Sequence, residues 1–206
     1  MKKGLFIVMD GCEGAGKSSM IEVLKEHFSE KNFLFTREPG GSLFAEQIRT
    51  LMLSPEAKEA SAETQFGLVW AARHDHVTQT IEPALQEGLT VVSDRFDSST
   101  FAYQLYGQKS LHLREHFWNT RDVYLKHTVP DLYVFFDVDP KVGMERVQKR
   151  KGERTHFDER DLSFHNEVRK GFKEFLTQVP SVVIDANKTQ EEVKKLFIAE
   201  IEKIMQ

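Results

Sequence analysis

Five short runs of apolar, largely β-branched and aromatic residues recur along the chain: GLFIVMD (4–10), FLFTR (33–37), LTVVSD (89–94), LYVFFDV (132–138) and SVVIDA (181–186). Each is nearly continuous rather than alternating, which is the pattern of a strand covered on both faces. Between the runs, apolar positions return every three to four residues, as in SMIEVLKEHF, FAEQIRTLML, HVTQTIEPALQEG and FHNEVRKGFKEFL. That spacing predicts amphipathic helices, and Gly88 stands where the third should stop. Strand and helix alternate throughout, so the expected fold is α/β: a parallel, doubly wound sheet with helices on both faces, formed by a single domain over 1–206.

In such a sheet, ligands bind beyond the carboxyl ends of the strands where strand order reverses. Polar clusters follow the apolar runs at those positions: Asp10 to Ser19, Arg37 to Ser42, Asp94 to Gln104, and the segment beyond Asp137. The first contains Gly11-Cys12-Glu13-Gly14-Ala15-Gly16-Lys17-Ser18, which fits G-x-x-x-x-G-K-[ST], followed by Ser19. Glycines let successive backbone N–H groups point into one concavity, and the following helix adds the positive end of its dipole. A polyphosphate fits such a concavity, with Lys17 reaching the outer phosphates and the Ser18 hydroxyl a ligand for Mg²⁺. A plain glycine turn with a capping serine is the simpler alternative, but the motif's place between a predicted strand and a predicted helix favours phosphate.

Composition narrows the class. The 206 residues carry 28 basic and 32 acidic side chains, a formal charge of −4, so no global positive field favours nucleic acid or an anionic membrane. An anionic ligand must therefore be held by a local cluster. Cys12 is the only cysteine, which excludes an internal disulfide and a cysteine-rich zinc site and suits a cytoplasmic setting. The opening MKKGLFIVM is too short in apolar residues for a signal peptide, and no run approaches the ~18 apolar residues of a membrane span.

A second phosphate site must separate kinases from other P-loop proteins. VVSDR ends the third run with Asp94, placed to hold the metal, and Arg95, whose guanidinium can grip two phosphate oxygens. Arg37 in TREPGG and Arg49 in EQIRTLML can converge on the same group. Arginines recur in and before the charged run KRKGERTHFDERD (149–161), at Arg146, Arg150, Arg154 and Arg160. A short basic flap closing over a travelling phosphoryl group and a solvated helix end fit that composition equally. His27, His74, His76 and His112 read as solvated or capping residues, and the sixteen phenylalanines mostly as core.

With TREPGG, WAARHDHV and DRFDSSTFAYQ added to the P-loop, in that order over essentially the whole chain, the sequence resembles bacterial thymidylate kinases. The resemblance implies a five-stranded parallel sheet of the nucleoside-monophosphate-kinase type, transfer of the γ-phosphoryl of MgATP to dTMP giving dTDP and ADP, and a homodimer. It implies ATP contacts for Gly11 through Ser19, with Lys17 catalytic and Ser18 and Asp94 at the metal. Glu13 matches the family's acidic position near the dTMP sugar and phosphate. Arg37 and Glu38 match the acceptor-lining REP motif, and Arg49 and Arg95 its phosphate ligands, with Arg95 also catalytic. Arg73 matches the guanidinium directed at a thymine carbonyl, Ser99, Thr100 and Gln104 fall in the stretch that bonds the base, and Tyr103 matches the ring that crowds the 2′ position. By the same resemblance, a P-loop without an extra basic residue implies catalytic arginines in the flap, here Arg150 and Arg154.

Three departures stand out. Val69, followed by Trp70, stands where the family stacks a phenylalanine on thymine. His156 aligns with the arginine of the family's D-R-F-E-Q flap sequence, leaving Arg150, Arg154, His156 and Arg160 as candidates for the transfer. AYQLYGQK replaces AYQG followed by GR, so Leu105 and Tyr106 are expected to reshape the acceptor rim. Another deoxynucleoside monophosphate or a deoxynucleoside is the alternative acceptor. A GTP-binding switch is more remote, because Asn187-Lys188-Thr189-Gln190 lacks the acid of N-K-x-D.

Overall fold

The opening apolar run becomes β1 (Phe6–Gly11), buried along its whole length at the centre of a five-stranded sheet. The computed structural model describes residues 4–28, 32–149 and 160–206. The other strands are β2 (Phe33–Arg37), β3 (Thr90–Asp94), β4 (Leu132–Asp137) and β5 (Ser181–Asp185), in the order β2-β3-β1-β4-β5. Each pairing is parallel, as the alternation of strand and helix predicts. The chain crosses to one side of β1 for β2 and β3 and to the other for β4 and β5. Register then sets the chemistry: Asp94 lies level with Met9 and Arg37, so the carboxyl ends of β1, β2 and β3 open onto one place.

α1 (Lys17–His27) follows β1, and α2 (Leu43–Met52) and α3 (Ala62–His76) follow β2. The expected helix 76–88 is instead a continuation of α3, through a π-helical turn at Val77–Ile81 into α4 (Glu82–Gln86), and Gly88 ends it with φ of 84°. After β3 come α5 (Asp97–Thr100) and a π-helical stretch Phe101–Gly107, then α6 (Arg114–Leu125). α7 (Pro140–Lys149) and α8 (Leu162–Phe175) follow β4. α9 (Gln190–Met205) closes the chain behind a reciprocal cap between Thr189 and Glu192.

The stretch 97–107 lacks a helical apolar stripe because it is buried almost all round. Phe101 meets Phe117 at 5.1 Å and Phe175 at 5.6 Å between ring centroids. Periodicity vanishes when no face is left for water.

The two edge strands correct the expectation of strands covered on both faces: in β2 only Phe33 is buried, and β5 is more open still. Ser181, Val183 and Asp185 are exposed, with Val183 54% accessible, because this edge strand has one sheet neighbour and only its Ile184 face is buried. No helix among the described residues is long and apolar enough to cross a membrane.

Candidate active site

Between β1 and α1 the backbone turns through left-handed conformations at Gly14 (φ 72°) and Gly16 (φ 89°). A Cβ at Gly14 would lie 2.2 Å from the Gly143 carbonyl oxygen of α7, so only glycine lets the loop pass beneath that helix. Lys17 is buried and its ammonium donates to the carbonyls of Gly11 (3.0 Å) and Cys12 (3.4 Å). Burial foremost, then the Arg95 charge, lowers the Lys17 pKa. Glu13 to Ser19 line a cavity of about 550 Å³, whereas Gly11 and Cys12 lie beneath it and hold Lys17 through their carbonyls. Burial also pushes the Cys12 thiol up to about 12, which fits a small filler residue.

Arg95 takes a left-handed backbone (φ 70°), a conformation that costs a non-glycine residue of the order of 1 kcal/mol or more. Its guanidinium meets Glu13 at 2.7 Å, Ser99 Oγ at 3.2 Å and Asp10 at 3.5 Å, and lies 5.1 Å from the Tyr103 ring centroid. The Tyr103 hydroxyl donates to the same Glu13 oxygen at 2.8 Å. The two carboxyls beside Arg95 diverge. Desolvation dominates at Asp10 and raises its pKa, although the Ser98 (2.5 Å) and Ser99 (2.8 Å) hydroxyls donate to it. At Glu13, burial also pushes upward, but Arg95, Lys17 and Tyr103 together outweigh it and hold the carboxyl at about 2.

Deeper in the same cavity lie Val69, Arg73, Phe96, Thr100 and Gln104. Arg73 is 1% exposed, yet charged groups enclose only part of it. Its Nε donates to Glu38 Oε2 (2.8 Å) and its Nη2 to Thr100 Oγ1 (3.0 Å), with Trp70 and Phe96 rings 4.5 and 5.1 Å away. Nη1 is buried without a hydrogen-bond partner. A buried donor without an acceptor is costly, which marks where a ligand carbonyl belongs. Val69 lines this chamber, while Trp70 turns into the core against Phe117 (5.5 Å) and Tyr124 (6.0 Å).

Arg37 and Arg49 also line the cavity. Arg37 is half exposed and paired with Glu46 at 3.1 Å; Arg49 donates to the Pro39 carbonyl at 2.7 Å. At the β3 end, Asp94 Oδ1 is buried with no hydrogen-bond partner and lines the cavity that Ser18 also faces. An unsatisfied carboxylate oxygen in the same cavity as a helix-start hydroxyl suits a hydrated divalent cation. Among the described residues no three His, Cys, Asp or Glu side chains converge on one point, so most ligands of such a cation would come from phosphates and water.

Several expectations change. His76 is not a solvated or capping residue. It is fully buried, bonding Glu38 Oε1 through Nδ1 (3.1 Å) and Thr36 Oγ1 through Nε2 (2.7 Å). The carboxylate can only accept, so Nδ1 carries a proton. His27 and His112 do pair at the surface, with Glu202 and Glu63. Leu105 and Tyr106 do not reach the acceptor rim: Leu105 is completely buried, and Tyr106 packs 5.7 Å from Phe101 with its hydroxyl between Arg114 and Glu174. Asn187 folds onto Asp185 (2.8 Å) and Thr189 caps α9, so this turn is structurally occupied.

Arg150, Arg154 and His156 lie outside the described residues. Arg160 stacks on Phe164 at 5.6 Å and does not line the cavity, whereas Arg146 does, while donating to the Ala186 carbonyl at 2.9 Å. Sequence reasoning passed over Met52, Leu53 and Val147 as cavity liners. In sequence these apolar residues are indistinguishable from core.

A phosphate-cradling loop at the centre of an order 2-3-1-4-5 parallel sheet, facing a second chamber lined with arginines, defines a P-loop phosphotransferase of the nucleoside-monophosphate-kinase type. The family model "Thymidylate kinase" matches residues 9–197. A thymidylate kinase of Geobacillus sp. (strain WCH70) is 39% identical over 204 residues, covering 97% of this chain and 96% of that protein. One from Shouchella clausii (strain KSM-K16) is 38% identical over 210 residues, covering 100% and 98%. The crystal structure of thymidylate kinase from Ehrlichia chaffeensis superposes with a TM-score of 0.76 at 28% identity, over 97% of this chain and 99% of that one. The chain belongs to the thymidylate kinase family.

Proposed function

We infer that the protein transfers the γ-phosphoryl group of ATP to dTMP, giving ADP and dTDP, with residues 1–206 acting as one P-loop kinase domain. The observation that carries this reading is that one cavity joins the start of α1 to the chamber around Arg73. Lys17 and the backbone of Glu13 to Ser19 would receive the ATP phosphates. Lys17 then exchanges the loop carbonyls it now bonds for phosphate oxygens. Arg37, Arg49 and Arg95 would hold the acceptor phosphate, and three guanidiniums lining one cavity support an acceptor that already bears phosphate over a nucleoside. Arg73 would bond a base carbonyl through its unpaired Nη1, with Thr100 and Gln104 along the same edge. Tyr103, fixed by its bond to Glu13, would crowd the sugar 2′ carbon and disfavour ribose.

Ser18 and Asp94 would hold Mg²⁺, which would neutralise charge building on the transferring group. The flap arginines Arg150 and Arg154 would add further positive charge to the transfer. A homodimer is supported by exposed Leu43, Phe44 and Leu51 on α2, of which Phe44 and Leu51 are seven residues apart on one face. The single buried thiol supports a cytoplasmic setting. The test is ADP release with dTMP, dUMP, dCMP and thymidine, with and without Mg²⁺. Magnesium-dependent turnover highest with dTMP upholds the reading, and turnover highest with thymidine overturns it.

A further inference from the structure

Gln65, on α3, is not itself among the cavity-lining residues, yet its amide is fully committed. It is 2% exposed, and its Nε2 donates to the backbone carbonyls of Ala57 (2.9 Å) and Ala60 (3.3 Å). Two carbonyls can face only an N–H₂ group, so the amide cannot flip, and Oε1 must point the other way. That oxygen accepts from Gln108 Nε2 at 2.7 Å and from Gln104 Nε2 at 3.4 Å. Gln104 does line the cavity. With its N–H₂ turned toward Gln65, its Oε1 is left free to accept from a ligand.

We propose that Gln65 is a positioning residue for base selectivity: by fixing the polarity of the Gln104 amide, it makes the chamber read a pyrimidine edge that donates at N3 and accepts at O4. The inference rests on the pyrimidine nucleotide reading given above. Gln104 Oε1 then presents an acceptor in the same chamber as the unpaired donor Arg73 Nη1. Thymine and uracil match that pair, offering N3–H and O4. Cytosine reverses both positions, with an acceptor at N3 and an amino group at C4, so it meets acceptor with acceptor and donor with donor. A free amide would rotate to suit cytosine at N3 at little energetic expense. A Gln104 amide facing the fixed Gln65 oxygen cannot do so without breaking its buried hydrogen bond and setting oxygen against oxygen.

The test is Gln65→Met, which keeps length and volume and removes the polar anchor, with Gln65→Leu as the second variant should the first not fold. For wild type and variant, kcat/KM is measured for dTMP, dUMP and dCMP, together with KM for ATP and the melting temperature. The expected result is a fall of about tenfold or more in the dTMP-to-dCMP ratio, carried by the acceptor KM. The dTMP-to-dUMP ratio and the ATP KM should stay unchanged, because the two substrates share one hydrogen-bonding edge. A purely structural role would lower the melting temperature and all three activities together, leaving the ratios intact, and that outcome overturns the proposal. Wild-type enzyme preferring dCMP would instead overturn the functional reading beneath it.

Discussion

Replacing Glu38 with Gln isolates the buried charge in the acceptor chamber. Glu38 and Arg73 are 3% and 1% exposed and meet at 2.7 Å, and the second Glu38 oxygen accepts from His76. The amide preserves volume, so no cavity contributes. It has one oxygen where two are in use, so either Arg73 or His76 must then face an N–H₂ group, and the Arg73 charge loses its compensation. Removing one partner of a buried pair costs about 3–5 kcal/mol; the retained hydrogen bond points to the lower end, about 3 kcal/mol. With a slope of about 2 kcal/mol/M, the urea midpoint should fall by roughly 1.5 M. The control is Arg37→Gln, whose partner Glu46 is 3.1 Å away but whose pair is about half exposed. Solvent screening limits that loss to less than about 1 kcal/mol. Equilibrium urea unfolding of both variants decides the matter. If Glu38→Gln shifts the midpoint no further than Arg37→Gln, burial does not set the strength of this pair, and the account of how Arg73 is held fails.

Gly14→Ala and Gly16→Ala both force a side chain into a left-handed backbone, worth about 1–2 kcal/mol each, but only at Gly14 does the new carbon collide, 2.2 Å from the Gly143 carbonyl. Gly14→Ala should therefore lower the melting temperature and ATP affinity more than Gly16→Ala, measured by calorimetry and nucleotide titration; equal losses would deny the contact with α7. Glu13, held at about 2 against an ordinary 4.5, contributes stability that is complete above about pH 4.5 and is lost as pH falls toward 2. Glu13→Gln should flatten the decline of the urea midpoint between pH 5 and 3, while the burial-raised Asp10, which tilts the other way, is common to both proteins. Alanine at both Arg150 and Arg154 should lower turnover by orders of magnitude while ATP binding survives, and unchanged turnover would remove the flap from the reaction.

The P-loop was legible because its chemistry is consecutive: Gly11 to Ser18 curl on themselves, and the flanking runs identify the strand and helix that fix their direction. Strand positions were legible for a similar reason, since β1, β3 and β4 are buried along nearly all of their length. β5 misled because an edge strand can carry the same composition as a central one.

Local sequence thus determined the sheet, the phosphate loop and, through motif resemblance, most cavity residues. Only the tertiary structure decided that His76 is a buried partner of Glu38, that Tyr106 leaves the rim for the core, and that Gln65 bonds Gln104. Those bonds join residues 38, 68 and 39 positions apart. A side chain's role at such distances is set by which groups the fold brings within about 3 Å and by the water it excludes, and neither is written in the residues beside it.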